Sequence, residues 1–126
     1  LSPEDSVFQT ALSEKVRVFR VGGASRAETV RNGVSVLLEQ GLAEAQDNIL
    51  VHDAARCCLP AEALTRLLDE AGENDEGGIL AIPVADTLKR ADGSHHINET
   101  VARAGLWQAQ TPQLFQTALL SKKGIF

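Results

Sequence analysis

The chain has 126 residues, 44% of them hydrophobic, and a formal net charge of −5 at pH 7. This length suits one domain over residues 1–126, and the interleaved charges contain no Lys/Arg block that could follow a phosphate backbone, so we expect no nucleic-acid partner. The longest uninterrupted apolar stretch, Ile79 to Ala85, has seven residues, far fewer than the roughly 20 that span a bilayer, so we expect no membrane segment.

In chain order, the first predicted element is a short helix from Ser2, because Ser2 can cap it and Pro3 suits the first helical position. Residues 16–21 alternate Val with Arg and predict a strand that ends at a pair of glycines, residues 22–23. A helix is expected next, because residues 25–28 have capping-box spacing and the following apolar residues recur on one helical face.

This unit of strand, turn and helix then repeats. Residues 49–52 predict a short apolar strand, residues 60–71 a helix with one apolar stripe, and residues 79–82 another buried strand. Strands that alternate with helices indicate crossovers that cover both faces of a sheet. The predicted fold class is therefore α/β, a Rossmann-like three-layer sandwich with a mostly parallel sheet.

The pattern changes at Asp86. Two half-polar segments, 87–90 and 97–103, flank a turn at 91–94 and predict a β-hairpin arm over about residues 86–104. A two-stranded ribbon is marginal alone in water, so we expect the arm to pack on a second copy in a symmetric dimer. The chain is then expected to return irregularly to a last helical segment near Leu114 to Leu120.

The cysteines and histidines indicate no disulfide and no zinc site. Cys57 and Cys58 are adjacent, and a bond between neighbours would close a strained ring, so we interpret them as packing cysteines of a protein from a reducing cytoplasm. His52 is isolated, while His95 and His96 lie together in a polar turn. The chain begins with Leu rather than Met, which leads us to expect that the natural N-terminus is missing.

Ligands of an open parallel sheet lie beyond the carboxyl ends of its strands, which singles out two places. At Gly22 and Gly23 the backbone can approach a ligand closely, and the helix start offers free N–H groups, although a plain tight turn is the simpler interpretation. After the second strand, Asp53 could ligate Mg²⁺ or accept from sugar hydroxyls, and Arg56 could grip a phosphate. Asp53 could equally cap the next segment, with Arg56 in a surface pair.

Five short motifs occur in order between residues 2 and 115. They are Gly22-Gly23 with Arg26, Ala27 and Val30; Val51 to Arg56; Gly77 to Ala81; Asp86 to Arg90; and Leu106-Trp107 with Thr111-Pro112-Gln113. Together they resemble the 2-C-methyl-D-erythritol 4-phosphate cytidylyltransferase family. The resemblance implies a nucleotide-diphospho-sugar transferase fold with a protruding dimerisation arm, and a cytoplasmic, Mg²⁺-dependent homodimer. The implied reaction joins CTP and methylerythritol phosphate, with release of pyrophosphate, in the non-mevalonate isoprenoid pathway.

The resemblance also implies residue roles. It assigns CTP contacts to Gly22, Gly23, Thr29, Asp53 and Ala54, and substrate contacts to Asp53, Arg56, Thr87, Arg103 and Thr111. Thr87 and Arg103 would reach from the arm to the neighbouring subunit's substrate, with Arg103 catalytic, and Asp53 would face Mg²⁺. Without the resemblance, Thr87 and Arg103 would be polar residues of an exposed ribbon, Thr111 a helix cap and Trp107 a packing anchor.

The chain departs from the family pattern at single positions and in missing segments. Ala24-Ser25 follows the glycines where the family usually has a polar, acidic pair, and Thr29 stands where Ser is frequent. The family's N-terminal glycine-rich loop and a C-terminal segment with a substrate-positioning Lys have no counterpart, and residues 121–126 match no family pattern. We therefore expect the 126 residues to be part of a longer protein and inactive alone.

Three other functions stay open from the sequence. The first is a cytidylyltransferase for another sugar-alcohol phosphate, such as ribitol 5-phosphate. The second is a non-catalytic α/β interaction module in which Asp53 only caps a segment. The third is a receiver-like domain with Asp53 as phospho-acceptor, although no acidic pair follows an earlier strand.

Overall fold

The computed structural model describes residues 1–7 and 13–121. Their helices and strands, in chain order, are α1 (Arg26–Glu39), β1 (Asn48–Val51), α2 (Ala61–Ala71), β2 (Gly78–Pro83), β3 (Leu88–Ala91), β4 (Ile97–Val101), β5 (Trp107–Gln116) and α3 (Thr117–Leu120). The predicted α/β class is confirmed. None of the helices in these ranges has the length and apolar character that crossing a bilayer requires.

The main sheet has three strands in the order β1-β5-β2, and β5 is antiparallel to both neighbours. The prediction of a mostly parallel sheet is therefore wrong for the described strands. β1 and β2 do share one direction, as expected of strands joined through a helix. The central position between them is filled by β5, which comes after the hairpin and runs the opposite way.

The predicted irregular return is the strand β5, and of the helical segment predicted near 114–120 only Thr117–Leu120 is helical. Polar residues and Pro112 conceal the strand, because proline is rarely tolerated in a central strand. The ladder accommodates Pro112 in a bulge: Ile79 pairs with Gln113 and Ala81 with Ala109, so residues 110–112 lie opposite the single residue Leu80. A bulge of this kind redirects side chains, and residues 110–112 lie next to the candidate site.

The N-terminal segments differ from their predictions. Residues 1–7 form a turn rather than the start of a helix, and the remainder of that predicted helix, 8–12, lies outside the described residues. Residues 16–21 are not part of a sheet ladder in the described structure. Their alternating pattern favours an extended backbone, but their neighbour is Leu1, whose amine donates to Phe19 O at 2.9 Å and whose carbonyl accepts from Gly22 N at 2.8 Å.

The core lies between α2 and the sheet. Leu67 and Ala71 of α2 pack with the buried Leu114 of β5, and Leu80 of β2 closes the cluster. Close packing at this point requires a glycine, since a Cβ on Gly78 would lie 2.5 Å from the Cβ of Ala71. Residues 52–60, between β1 and α2, form no helix or strand. The two cysteines of this segment are exposed and free, so the prediction of packing cysteines is wrong.

The predicted hairpin is present. β3 and β4 form a separate antiparallel two-stranded sheet, with Leu88 opposite Val101 and a turn around His95, whose φ is 65°. Residues 89–100 are exposed along the whole ribbon. A ribbon that buries so little in its own chain fits an arm, while its packing on a second copy stays a prediction.

Candidate functional site

The centre of the candidate site is Asp53, two residues beyond the end of β1. Its carboxylate lies between two guanidinium groups: Arg26 Nε is 3.1 Å from Oδ1, and Arg56 Nε is 3.4 Å from Oδ2. The three side chains are 36–49% exposed, so each pair contributes only about 0–1 kcal/mol to stability. The arrangement therefore orients the three charged groups more than it stabilises the fold.

The bulge of β5 supports the loop that carries Asp53. The Oγ1 of Thr111 accepts from the backbone N–H of Asp53 at 3.2 Å and lies 3.0 Å from His52 Nδ1. Arg56 donates from NH1 to the Oε1 of Gln110 at 2.6 Å. Thr111 is buried, and its hydroxyl is satisfied by the loop. Thr111 is therefore not the helix cap considered from the sequence, because it belongs to a strand and holds the backbone at Asp53.

The glycine turn is closed by side chains of the helix that follows it. Gly23 N donates to Thr29 Oγ1 at 3.0 Å, and Ala24 N donates to Glu28 Oε2 at 2.8 Å. The Ser25 hydroxyl caps α1 by accepting from Glu28 N at 3.2 Å. The predicted capping box is thus confirmed, with the glutamate reaching Ala24 rather than the cap residue itself.

These contacts correct one expectation about the turn. The N–H groups of Gly22, Gly23 and Ala24 all donate within the chain, so they are not free to bind an anion. In the described part of the chain, no hydrogen bond engages the carbonyl oxygens of Gly22 and Gly23. The turn therefore offers acceptors to a ligand, which suits a ligand with N–H donors better than a phosphate.

Arg26 connects the glycine turn to Asp53. It lies in the first turn of α1, and its guanidinium reaches the carboxylate beyond β1 at 3.1 Å. The two places that the sequence singles out, the glycine turn and Asp53, therefore lie next to each other in the structure. Arg26 was not among the predicted site residues, although it belongs to the same family motif as the two glycines.

A cavity of about 660 Å³ adjoins this network, between α2 and the strands β2 and β5. Arg56, Gln110 and Thr111 line it, so the same side chains face both the cavity and the loop of Asp53. Its volume lies within the range of small-molecule sites. Trp107 also lines the cavity but is 61% exposed, so it is not a packing anchor in this chain: the edge of the sheet at the start of β5 leaves its ring uncovered.

Comparison with known proteins identifies the family. The sequence profile described as "IspD: 2-C-methyl-D-erythritol 4-phosphate cytidylyltransferase" matches residues 1–124. The chain belongs to this family. A relative of that name from Neisseria meningitidis serogroup C / serotype 2a is 66% identical over 97% of this chain and 54% of the relative. A second relative of that name, from Laribacter hongkongensis, is 51% identical over 96% of this chain and 52% of the relative.

Solved structures agree with this family membership. A crystal structure of a 4-diphosphocytidyl-2C-methyl-D-erythritol synthase has a TM-score of 0.88 at 65% identity, over 96% of this chain and 57% of that one. The crystal structure of the Francisella tularensis 2-C-methyl-D-erythritol 4-phosphate cytidylyltransferase has a TM-score of 0.70 at 33% identity, over 79% of this chain and 45% of that one. The chain thus spans about half the length of these family members.

The remaining predicted family residues lie at two places. Ala54 is exposed, next to Asp53 in the same loop. Thr87 and Arg103 flank the base of the hairpin, and Arg103 donates from NH1 to the carbonyl of Ala85 within its own chain. No hydrogen bond or ion pair in the described ranges joins Thr87 or Arg103 to the network of Asp53. Within one chain, the structure therefore does not bring the arm pair into that network.

The carboxylates of this family member do not form a ready cation site. Both oxygens of Asp53 face guanidinium groups. Across residues 1–7 and 13–121, no group of three or more His, Cys, Asp or Glu side chains could hold a metal ion. A cation at Asp53 would have to share the carboxylate with the two arginines.

Proposed function

We propose that the protein containing this chain is a cytoplasmic 2-C-methyl-D-erythritol 4-phosphate cytidylyltransferase. It would join CTP and methylerythritol phosphate to give 4-diphosphocytidyl-2-C-methyl-D-erythritol and pyrophosphate, a step of isoprenoid precursor biosynthesis. The observation that carries the proposal is the contact of Arg26 with Asp53, which links the glycine turn and the cavity edge in a member of this family.

The glycine turn fits the base of CTP. Cytosine presents the N4 amino group as a donor, and the carbonyl oxygens of Gly22 and Gly23 are acceptors without a partner in the described residues. Thr29 would act indirectly, because its hydroxyl accepts from Gly23 N and donates to Ser25 O at 3.0 Å. Since Ala24 and Ser25 carry no carboxylate, base recognition in this chain would depend on the backbone.

The loop of Asp53 fits the reacting phosphates. The phosphate oxygen of methylerythritol phosphate would attack the α-phosphorus of CTP, forming one P–O bond as the bond to pyrophosphate breaks. The enzyme needs no nucleophile, so catalysis comes from positioning and from neutralising phosphate charge. Arg56 would contact phosphate directly, Asp53 and Thr111 would fix its position, and Ala54 would leave room for the ligand.

Mg²⁺ enters the proposal in a limited form. A bound Mg²⁺ would neutralise triphosphate charge, and this ion is usually held by one or two carboxylates together with substrate phosphates. Asp53 could supply one oxygen, sharing its carboxylate with Arg26 and Arg56. The described residues therefore fit an ion that arrives with the nucleotide better than a resident one.

The arm completes the proposal as a homodimer. Thr87 and Arg103 would bind the methylerythritol phosphate of the neighbouring subunit, with Arg103 orienting its phosphate for attack. The separate, exposed hairpin supports this role, because a ribbon that buries little alone gains from packing on a second copy. Arg103 would then have to release the carbonyl of Ala85.

The test is pyrophosphate release by the complete protein that contains this chain, with CTP, Mg²⁺ and either methylerythritol phosphate or ribitol 5-phosphate. We expect turnover with methylerythritol phosphate and a much lower kcat/KM with ribitol 5-phosphate. We expect the 126-residue chain alone to give no turnover. A preference for ribitol 5-phosphate, or no pyrophosphate with either acceptor, would reject the proposal.

A further inference from the structure

The ladder between β1 and β5 ends where a side chain replaces a backbone partner. Its last pair is Val51 with Gln113. The next residue of β5 is Pro112, which has no N–H to offer the ladder. Beyond this point, the backbone N–H of Asp53 donates to the side-chain hydroxyl of Thr111 at 3.2 Å. The orientation of this hydroxyl therefore affects where the loop of Asp53 lies.

The direction of the Thr111 hydroxyl follows from its donors and acceptors. A hydroxyl donates one proton and accepts through its lone pairs, and the N–H of Asp53 can only donate to it. His52 Nδ1 lies 3.0 Å from the same oxygen, and within residues 1–7 and 13–121 Thr111 Oγ1 has no third partner. If Nδ1 also donated, the proton of this buried hydroxyl would have no acceptor there, which is costly. Both contacts are satisfied when Thr111 donates to His52 Nδ1 and accepts from Asp53.

This arrangement requires a His52 ring with its proton on Nε2 and none on Nδ1. We propose that His52, in this tautomer, is a positioning residue: its Nδ1 holds the Thr111 hydroxyl in the orientation that accepts from Asp53. Asp53 in turn orients Arg26 and Arg56. The ring of His52 is exposed, so water can accept from its Nε2–H. The effect on turnover rests on the proposed function, whereas the position of the ring proton can be measured without any substrate.

The first test is NMR of the complete protein that contains this chain, labelled with 15N-histidine. Spectra that correlate the ring nitrogens with the carbon-bound ring protons show which nitrogen is protonated, and the His52 signals are assigned by their absence in His52→Asn. At about pH 8.5, chosen to favour neutral imidazole, we expect the proton on Nε2. The Nδ1 resonance should move downfield in Thr111→Val, because that variant lacks the hydroxyl that donates to Nδ1. A proton on Nδ1, or an Nδ1 resonance that does not move, would overturn the proposal.

The second test compares two substitutions of similar shape in the complete protein. In His52→Asn the amide oxygen takes the place of Nδ1 and can accept from Thr111, whereas His52→Leu has the same branching and no acceptor. We expect His52→Asn to keep most of the native kcat/KM. We expect His52→Leu to lose roughly 5- to 10-fold, about the contribution of one hydrogen bond. Adding His52→Leu to Thr111→Val should cause no further loss, because the hydroxyl that His52 holds is already absent.

Circular dichroism of each variant is the control for folding. Equal kcat/KM in His52→Asn and His52→Leu would overturn the positioning role, and so would additive losses when His52→Leu is combined with Thr111→Val. If His52→Leu does not fold, the NMR comparison of the native protein with Thr111→Val decides. No pyrophosphate from the native protein would reject the proposed function, and the NMR result would still support or overturn the hydrogen bond from Thr111 to His52.

Discussion

The contact between Arg26 and Asp53 yields the sharpest prediction. In the complete protein, Arg26→Gln removes one guanidinium from a carboxylate that keeps Arg56 on its other oxygen. Both side chains are about 40% exposed, so the free energy of unfolding should fall by only about 0–1 kcal/mol. The kinetic effect should be larger, because a shift of about 1 Å in a positioned group can cost roughly 100-fold in rate.

The assay is a double-mutant cycle on kcat/KM with Arg26→Gln, Asp53→Asn and both changes together. If the contact acts as a unit, the double variant should lose less than the sum of the two single losses, with a coupling of about 0.5–3 kcal/mol. Arg31→Gln is the matched control, because Arg31 lies on the same helix and has no ion pair in the described residues. It should keep the native kcat/KM.

The split between kinetic constants distinguishes positioning from simple binding. Arg26 joins the turn proposed for the base to the loop proposed for the phosphates, so its loss should lower kcat and raise the KM for CTP. A change in the KM of methylerythritol phosphate alone would contradict this coupling. Additive losses in the double variant, or native kinetics in Arg26→Gln, would refute the reasoning.

Three further predictions concern the arm, the turn and the core. Arg103→Ala should raise the KM for methylerythritol phosphate more than the KM for CTP. Mixing this variant with Asp53→Ala subunits should recover part of the activity if sites are shared between subunits. No recovery would mean that each subunit is self-contained. Gly23→Ala should destabilise the chain by about 1–3 kcal/mol in urea unfolding, because the added Cβ would lie 2.3 Å from the Cγ of Glu28. Unchanged stability would show that the turn can relax. Leu114→Ala should cost about 2–5 kcal/mol in the same measurement, because Leu114 is 1% exposed; a loss below 1 kcal/mol would contradict its place in the core.

The elements that the sequence predicts well carry a local signal. Both long helices have an apolar face, the start of α1 has a side-chain cap, and the strands β1 and β2 are short apolar runs, so β1, α2 and β2 appear within one residue of their predicted bounds. The hairpin is marked by its turn and by the change to half-polar segments. The joint position of the glycine turn and Asp53 was also predictable, because each follows an extended segment and precedes a helix.

The elements that the sequence predicts poorly depend on partners distant in the chain. The pattern of residues 16–21 favours an extended backbone, but a strand also needs a neighbouring strand, and in the described residues the backbone groups of 16–21 bond to Leu1, Ser13 and the side chain of Asn32 instead. The direction of the sheet was missed because β5 inserts between β1 and β2 after the hairpin. No local pattern in Trp107–Gln116 reports which strands will flank it.

The polar residues that conceal β5 are also those that make the candidate site. A buried hydroxyl or amide in a central strand is costly unless it is hydrogen-bonded. The buried Thr111 meets this requirement through Asp53 N and His52, and the half-buried Gln110 accepts from Arg56. These partners all lie in the loop after β1. The polar residues of β5 are therefore explained by their hydrogen bonds to that loop. A polar stretch that interrupts a buried strand, opposite a strand-end carboxylate, is therefore itself a signal for a site.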